Sequence, residues 1–348
     1  MSRRSKSNYL DILQIFRGLA AAMVVLHHSI GSLKYYHKID YSTLNYVGSI
    51  GKYGVDFFFV LSGFIITYSA YYKYNEPNSF SNYIKNRLIR IYVPYLPIGI
   101  FMLVIYTLLP SFSNGNRDIS LLTSLTLIPQ GNPALSVAWT LSFELCFYLL
   151  FSISFYSKKA WNWFVLVWFL AIIIFTHSSL FSLPFLENPY FRILFSPYNI
   201  EFILGFVLAL SVIRKIRINI ILLFLLLLLA LISFFYCTFN NLKLFPFVVN
   251  LLFAIVAFLS IFMATSFGNF KINKTSVIMM VGNATYSIYL IHNPLQMILI
   301  RLYPKITSIT SLMVALVLVL ILSCVVGYAY YFIFEKKAMN SIKSKLIK

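Results

Sequence analysis

The stretch FRGLAAAMVVLHHS, residues 16–29, is an apolar run of helical length with Arg17 near one end and His27 and His28 near the other. An ionisable side chain at the centre of a bilayer costs about 2.5–3.5 kcal/mol on insertion scales, so it is a candidate functional residue by default. Apolar runs near the length needed to cross a bilayer recur along the whole chain. The stretch therefore indicates a membrane-spanning helix that carries ionisable groups of functional interest.

Composition supports the same class of protein. The chain has 348 residues, of which 60% are hydrophobic and 11% charged, and its mean hydropathy is +0.83. These values exclude a single soluble domain of this size. We predict an all-α, polytopic membrane bundle that forms a single domain over residues 1–348, without an extracytoplasmic C-terminal domain. Its ten expected transmembrane helices are 10–30, 48–70, 93–110, 137–155, 160–177, 198–213, 218–238, 246–267, 282–300 and 308–334.

Basic residues are distributed unevenly between the segments that join these helices. With the N-terminus inside, the inner segments hold 19 Lys and Arg residues and the outer segments seven. This is the positive-inside pattern, and it predicts that both termini face the cytoplasm, with outer loops at 31–47, 111–136 and 178–197. The net charge of +19 therefore reflects topology, with membrane lipid headgroups and not nucleic acid as partners. We expect the first helix to be retained and not cleaved as a signal peptide.

The three cysteines fall in separate spans without metal-ligand spacing. Cys146, Cys237 and Cys324 are therefore interpreted as apolar packing residues, and we expect neither a metal site nor a disulfide.

Helical geometry relates the ionisable residues of the first span. Eleven residues separate Arg17 from His28, which corresponds to three turns plus about 20° and a rise of about 16 Å. The two side chains share one helix face, whereas His27 points about 80° away. Such a stripe could bind a long anionic ligand threaded along the helix. In the alternative, Arg17 snorkels to headgroups and His28 only bonds a neighbouring helix.

Other spans also carry charges. Asp56 and Glu144 are expected in the outer half of the second and fourth helices, close to the level of His28, which lies about two residues below the end of its own span. Lys85, Arg87 and Arg90 are expected at the foot of the third helix, either as ordinary positive-inside charge or as a clamp for phosphates. Two further carboxylates at helix ends are interpreted as interfacial, namely Glu201 and Glu335.

The chain resembles acyltransferase family 3, a family of bacterial membrane enzymes. The family signature of an arginine, ten residues and a histidine is matched at Arg17 and His28. The resemblance covers nearly the whole chain and continues through six stretches in order: DILQIFRGLAAAMVVLHH, GVDFFFVLSGFII, RLIRIYVPY, WTLSFELCFY, GNATYSIYLIHNPL and YYFIFEK.

The resemblance implies an enzyme of the bacterial inner membrane that moves an acyl group, commonly acetyl, from cytoplasmic acyl-CoA to a sugar hydroxyl of a cell-surface glycan. Acyl-CoA is then a co-substrate, and no cofactor is permanently bound. The implied donor site is Arg17, Arg87 and Arg90. His28 would be the general base, and Asp56 or Glu144 would orient it.

Further residues and two departures complete this interpretation. Ser62, Tyr289 and His292 are expected to line the cavity. Asn86 stands where many members have one of a pair of arginines, so Lys85 would have to substitute there. Some members carry an extracytoplasmic C-terminal domain, and without it a second transfer step would need a separate protein.

Several alternatives stay open at this level. A covalent acyl-histidine is the main mechanistic rival to general-base catalysis. Ser62 is either a nucleophile or, as we favour, a packing or hydrogen-bonding residue, and His292 is either cavity-lining or structural. A transporter or flippase for an anionic or glycan substrate is the alternative function. It would be favoured by discontinuous helices in inverted repeats, and the sequence shows no such pair.

Overall fold

The computed structural model describes residues 3–38, 40–112, 118–177, 187–240, 242, 247–267, 273 and 275–347. The described residues are 83% helical and form no β-strand. Nine helical stretches within these residues are long and apolar enough to cross a membrane. The predicted class, an all-α polytopic membrane protein, is thereby confirmed.

Fifteen α-helices are present in the described chain, α1 to α15 in chain order. Their bounds are Arg3–His37, Ser42–Gly51, Gly54–Tyr71, Ser79–Leu108, Leu121–Thr126, Trp139–Phe151, Lys158–His177, Pro189–Leu194, Tyr198–Ile213, Ile220–Phe239, Val248–Phe267, Val277–Asn283, Thr285–Leu302, Ile309–Tyr330 and Lys336–Leu346. A π-helical segment, Tyr331–Glu335, joins α14 to α15.

Each of the ten predicted spans is largely helical, although two of them, 48–70 and 282–300, are each divided between two consecutive helices. Helix α13 covers most of the span predicted at 282–300, but its His, Asn and Gln side chains lower its hydropathy, so it is not among the nine apolar stretches. Pro294 lies inside this helix, where it removes one backbone donor. A polar helix in a membrane protein must be shielded by its neighbours, and α13 is largely buried.

Three predicted boundaries are wrong. Helix α1 continues to His37 and α2 begins at Ser42, so most of the predicted loop 31–47 is helical. Lys34 and His37 suit the negative end of the helix dipole, which favours this extension. Helix α4 begins at Ser79 and not at 93, because charged residues end an apolar window without ending a helix. Parts of the other two predicted outer loops, 113–117 and 178–186, lie outside the described residues.

The described chain forms two compact units, each built from three sections of the sequence. The first unit comprises Met1–Leu13, Asp56–Lys85 and Ser142–Ile272. The second unit comprises Gln14–Val55, Asn86–Leu141 and Asn273–Lys348. The expectation of a single membrane domain stays a prediction.

In the first unit, α3 and α9 cross at two glycines. A Cβ built on Gly205 would lie 2.1 Å from the carbonyl oxygen of Val60, and one on Gly63 would lie 2.2 Å from that of Phe202. Small residues let helix backbones approach this closely in membrane proteins. Beside the crossing, Phe59 stacks on Phe202 with ring centroids 4.6 Å apart, so both helices are held against one another.

In the second unit, α12, α13 and α14 pack around α1 by the same device. A Cβ on Gly282 would lie 2.4 Å from the carbonyl oxygen of Gln14, and Gly18 of α1 faces Gly282. Gly327 of α14 lies equally close to Ile288 of α13, since an added Cβ would lie 2.6 Å from the Ile288 Cα. These contacts pack α12 against α1 and α14 against α13.

Candidate active site

The centre of the site in the second unit is a pair of histidines. His28 on α1 and His292 on α13 have ring centroids 5.2 Å apart. His28 is half-buried and His292 is completely buried. Within the described residues, the ring nitrogens of His28 form no hydrogen bond. The ring of His28 therefore has both nitrogens available for a reaction partner and for a neighbouring side chain.

One hydrogen bond fixes the tautomer of His292. Its Nδ1 lies 2.7 Å from the carbonyl oxygen of Tyr289, one turn earlier on α13. A carbonyl oxygen can only accept, so Nδ1 carries the hydrogen and Nε2 of the neutral ring is an acceptor. This buried Nε2 has no hydrogen-bond partner among the described residues. The structure thus leaves a hydrogen-bond acceptor next to His28.

Tyr289 anchors this part of α13. Its hydroxyl donates to the carbonyl oxygen of Val137 at 3.2 Å and lies 2.9 Å from Oγ1 of Thr140. Thr140 lies in the first turn of α6, and Val137 lies in the 3₁₀ turn Ser136–Ala138 that precedes it. Because Tyr289 also supplies the carbonyl that binds His292, it connects the histidine pair to a third element of the same unit.

A polar contact one turn further along α13 holds the two helices in register. Nε2 of Gln296 donates to Oγ of Ser29 at 2.9 Å and to the carbonyl oxygen of Val25 at 3.2 Å. Ser29 follows His28 on α1, and Gln296 lies four residues after His292 on α13. The contact therefore fixes which residues of α1 and α13 face one another. Gln296 is a residue that the motif comparison missed, although a glutamine four residues from a buried histidine shares its helix face.

His27 is bonded elsewhere. Its Nδ1 lies 2.7 Å from the carbonyl oxygen of Gly48 on α2 and donates to it. The two neighbouring histidines thus have different surroundings, since His27 contacts α2 and His28 lies beside α13.

A partly buried ion pair lies near the other end of α13. Nη1 of Arg90 is 2.5 Å from Oε1 of Glu335, and Oγ of Ser287 is 2.5 Å from Oε2 of the same carboxylate. The Arg90 guanidinium also lies over the ring of Tyr286, 4.8 Å from its centroid. Ser287 precedes His292 by five residues, so the ion pair and the histidine pair are about 7.5 Å apart along α13.

Glu335, which the sequence places at the inner end of the last span, is buried inside the protein. Its side chain is only 1% exposed, because it ends the π-helical segment and turns towards Arg90 and Ser287. A π turn carries an extra residue, which changes the face to which later side chains belong. No feature of the sequence YYFIFEK signals that turn.

The remaining predicted donor residues also belong to the second unit. Nη1 of Arg17 donates to Oε1 of Gln14 at 3.2 Å, and the Arg17 side chain is half-buried. Helix α1 is continuous from Arg17 to His28, so the expected rise of about 16 Å between them holds. His28, however, is followed by nine more helical residues, which corrects its expected place near the end of the span. Arg87 is half-buried on α4.

Asp56 lies in the first unit. The second predicted helix is broken between α2 and α3, which places Asp56 in the first turn of α3, where the helix dipole favours a carboxylate. Its Oδ1 accepts a hydrogen bond of 2.8 Å from Nδ2 of Asn250. Glu201 lies in the first turn of α9, at a helix end as expected, and its side chain is completely buried.

Glu144 and Ser62 also belong to the first unit. Oγ of Ser62 on α3 donates to Oε1 of Glu144 on α6 at 2.7 Å. Ser62 thus has a hydrogen-bonding role in the structure. Lys85 is exposed and lies in the first unit, whereas Asn86, Arg87 and Arg90 lie in the second.

Comparison with known families identifies the chain. The family described as Acyltransferase domain, Acyl_transf_3, matches residues 9–331. The protein belongs to acyltransferase family 3. Together with the apolar helices, this membership makes it a multi-pass membrane acyltransferase. No curated protein and no solved structure matches the chain.

The three cysteines of the acyltransferase form no disulfide. Cys146, Cys237 and Cys324 are free thiols, and the described residues contain no cluster of three or more His, Cys, Asp or Glu side chains that could hold a metal ion.

Proposed function

We propose that the protein is an acyl-CoA-dependent O-acyltransferase of the bacterial cytoplasmic membrane, with both termini in the cytoplasm. It would transfer an acyl group, most simply acetyl, to a hydroxyl of a cell-surface or exported glycan. Family membership supports acyl transfer, and the pairing of His28 with His292 is the observation that carries the assignment of the base.

The donor would bind along the face of α1 that carries Arg17 and His28. Arginine offers bidentate, charge-assisted contacts to phosphate, which suits the nucleotide head of coenzyme A. A pantetheine arm of roughly 15–20 Å compares with the rise of about 16 Å from Arg17 to His28. We assign the head to Arg17, Arg87 and Arg90, and the thioester to the neighbourhood of His28.

Glu335 would position Arg90 for this role. The carboxylate holds Nη1, and the ring of Tyr286 lies under the guanidinium, so the side chain has a fixed direction before any ligand binds. A fixed arginine loses less conformational entropy when it binds phosphate than a free one would. We therefore add Glu335 and Tyr286 as positioning residues of the donor site.

The transfer step follows from a neutral His28. Its imidazole accepts the proton of the sugar hydroxyl while the hydroxyl oxygen forms a bond to the thioester carbonyl carbon. The carbon–sulfur bond then breaks, and the coenzyme A thiolate takes the proton from the imidazolium. General-base catalysis of this kind contributes about 10²–10⁴-fold to the rate.

His292 would orient the base. When one nitrogen of His28 faces the hydroxyl, the other carries a hydrogen and needs an acceptor, as in other catalysts with an oriented histidine. Nε2 of His292 is such an acceptor, since Tyr289 binds its Nδ1–H. We propose that the two rings are linked directly or through one water molecule. Asp56 and Glu144 remain proposed contributors to catalysis, each with a bonded partner in the first unit.

Purified protein incubated with radiolabelled acetyl-CoA and candidate glycans tests the proposed activity. We expect label in the glycan and release of free coenzyme A. Label that stays on the protein after denaturation, and that is lost in His28→Ala, would instead support the acyl-histidine route. Absence of both outcomes with every acyl-CoA and glycan supplied would contradict the proposal.

A further inference from the structure

The first unit contains a cavity of about 810 Å³, separate from the side chains discussed above. Its size lies within the 300–1,000 Å³ typical of small-molecule sites. Four apolar stretches have one of their ends at this cavity. They are Ser42–Tyr71, Pro189–Ile213, Ile220–Phe239 and Val248–Ser266. The cavity therefore lies where helices leave the apolar layer.

Part of the cavity lining is amphipathic. Between α9 and α10 the chain runs through Lys215, Ile216, Arg217 and Ile218, all exposed and all lining the cavity. Basic and aliphatic side chains thus alternate along one short segment. Neither Lys215 nor Arg217 forms an ion pair within the described residues. Two unpaired cations next to exposed aliphatic groups match a ligand with an anionic head and an apolar tail.

Lys215 occupies a backbone conformation that favours glycine. Its φ is +56°, and the Ile216 N–H donates to the Ser211 carbonyl while the Lys215 N–H donates to that of Val212. This is the helix-ending motif in which glycine usually takes the left-handed position. The left-handed backbone conformation costs more free energy for lysine than for glycine, because lysine has a Cβ atom. The strain is explained if the ammonium group is needed in the cavity.

Hydroxyl groups of α11 also line the cavity. Oγ1 of Thr265 and Oγ of Ser266 donate to the carbonyl oxygen of Phe262, at 2.7 and 2.9 Å. Their oxygens are therefore acceptors towards the cavity, and they suit a ligand that carries hydroxyl groups of its own. Tyr68 and Tyr72 add aromatic surface of the kind that lies at headgroup level in membranes.

We propose that this cavity binds an anionic phospholipid with a hydroxylated headgroup. Lys215 and Arg217 bind the phosphate, Thr265 and Ser266 accept hydrogen bonds from the headgroup hydroxyls, and Ile216, Ile218 and Phe262 contact the apolar part. A soluble nucleotide or free phosphate has no apolar tail that could contact the exposed aliphatic side chains. The positive-inside pattern places the site in the cytoplasmic leaflet, where anionic lipids bind basic segments.

The test uses the full-length protein in an uncharged detergent and dioctanoyl phosphatidylglycerol as the probe, with binding measured by calorimetry. The variants are Lys215→Gly, which suits the left-handed backbone, and Lys215→Gly combined with Arg217→Gln. Arg214→Gln is the matched control, because Arg214 is equally exposed in the same segment but does not line the cavity.

We expect the double variant to bind the lipid about 30-fold more weakly and the control to bind it normally. The melting temperature without lipid should not fall in Lys215→Gly, since glycine relieves the backbone. Dioctanoyl phosphatidylcholine should bind the wild type no better than phosphatidylglycerol binds the double variant. The proposal is overturned if the double variant keeps full affinity. It is equally overturned if inorganic phosphate or coenzyme A binds through Lys215 and Arg217 while the lipid does not.

Discussion

His28 of α1 and His292 of α13 lie with their ring centroids 5.2 Å apart, and the tautomer of His292 is fixed by the Tyr289 carbonyl. A buried acceptor without a partner beside a half-exposed imidazole is an unusual arrangement, since an unsatisfied buried nitrogen costs about 1–3 kcal/mol. Pairing with His28 in the reactive state would satisfy that nitrogen. The relationship therefore links the stability of α13 to the proposed chemistry of α1.

Changing His292 should lower the rate of transfer without abolishing donor binding. We expect His292→Leu to reduce kcat about 10- to 100-fold, because the base is no longer held in one orientation. His292→Gln keeps an acceptor close to the position of Nε2 and should recover part of the rate. The measurement is kcat and KM for each variant, together with the affinity for acyl-CoA.

A merely structural role of His292 predicts another pattern. The Leu and Gln variants would then be equally active, or they would lose donor affinity and melting temperature together with kcat. Either result would remove His292 from the catalytic arrangement and leave it as a packing residue of α13.

Changes at Arg17 and Arg90 should lower the affinity for the acyl-CoA donor and leave the affinity for the glycan acceptor unchanged. We expect Arg17→Ala to weaken acyl-CoA binding roughly 10- to 100-fold, because a charge-assisted contact to phosphate is lost. Arg90 needs a different design, since its removal leaves Glu335 buried without its cation. Arg90→Gln should therefore be compared with Arg90→Gln combined with Glu335→Gln.

In that pair we expect the double variant to be the more stable, because it removes both charges together. Donor affinity should be reduced in both. Calorimetry that finds unaltered coenzyme A affinity in folded Arg17→Ala would contradict the placement of the donor head.

Much of the fold could be predicted from sequence, because hydropathy and charge bias depend on residue type alone. The ten spans were placed to within a few residues where apolar runs end cleanly, as at Ile213. The predicted helix ends are wrong where polar residues continue a helix, as in α1 beyond residue 30 and in α4 before residue 93. The break before Gly54 was missed because the residues on both sides are apolar enough to read as one run.

The site was predicted less completely. The shared face of Arg17 and His28 follows from helical periodicity and holds because α1 is unbroken. The contact of His28 with His292 and that of Arg90 with Glu335 join distant parts of the chain, and no local pattern encodes them. Such pairs become visible only when the packing of helices is known.

The glycine crossing of α3 and α9 gives a prediction about stability. Gly205→Ala should lower the free energy of unfolding by about 1–3 kcal/mol, because the new Cβ would lie 2.1 Å from the Val60 carbonyl oxygen and the helices must separate. Gly31→Ala on α1 is the control, since nothing lies within 4 Å of its Cβ position. Thermal unfolding in detergent measures both, and an unchanged melting temperature in Gly205→Ala would contradict the close crossing.

Topology can be tested at two exposed positions of the first unit. With the N-terminus inside, Asn75 follows the second span and faces the cytoplasm, whereas Glu187 precedes the sixth apolar stretch and faces outside. In variants without the native cysteines, a membrane-impermeant thiol reagent added to whole cells should label Glu187→Cys and not Asn75→Cys. Labelling of both from outside would contradict the N-in arrangement.

The most direct test of the central claim compares His28→Ala with His27→Ala in acyl transfer, with acyl-CoA binding as the control for folding. We predict that His28→Ala lowers the transfer rate about 10²–10⁴-fold and leaves donor affinity intact, because it removes only the base. His27→Ala should stay active, since its bond to the Gly48 carbonyl is a helix contact worth about 0.6 kcal/mol in comparable membrane proteins. An active His28→Ala beside an inactive His27→Ala would contradict the assignment of His28 as the base.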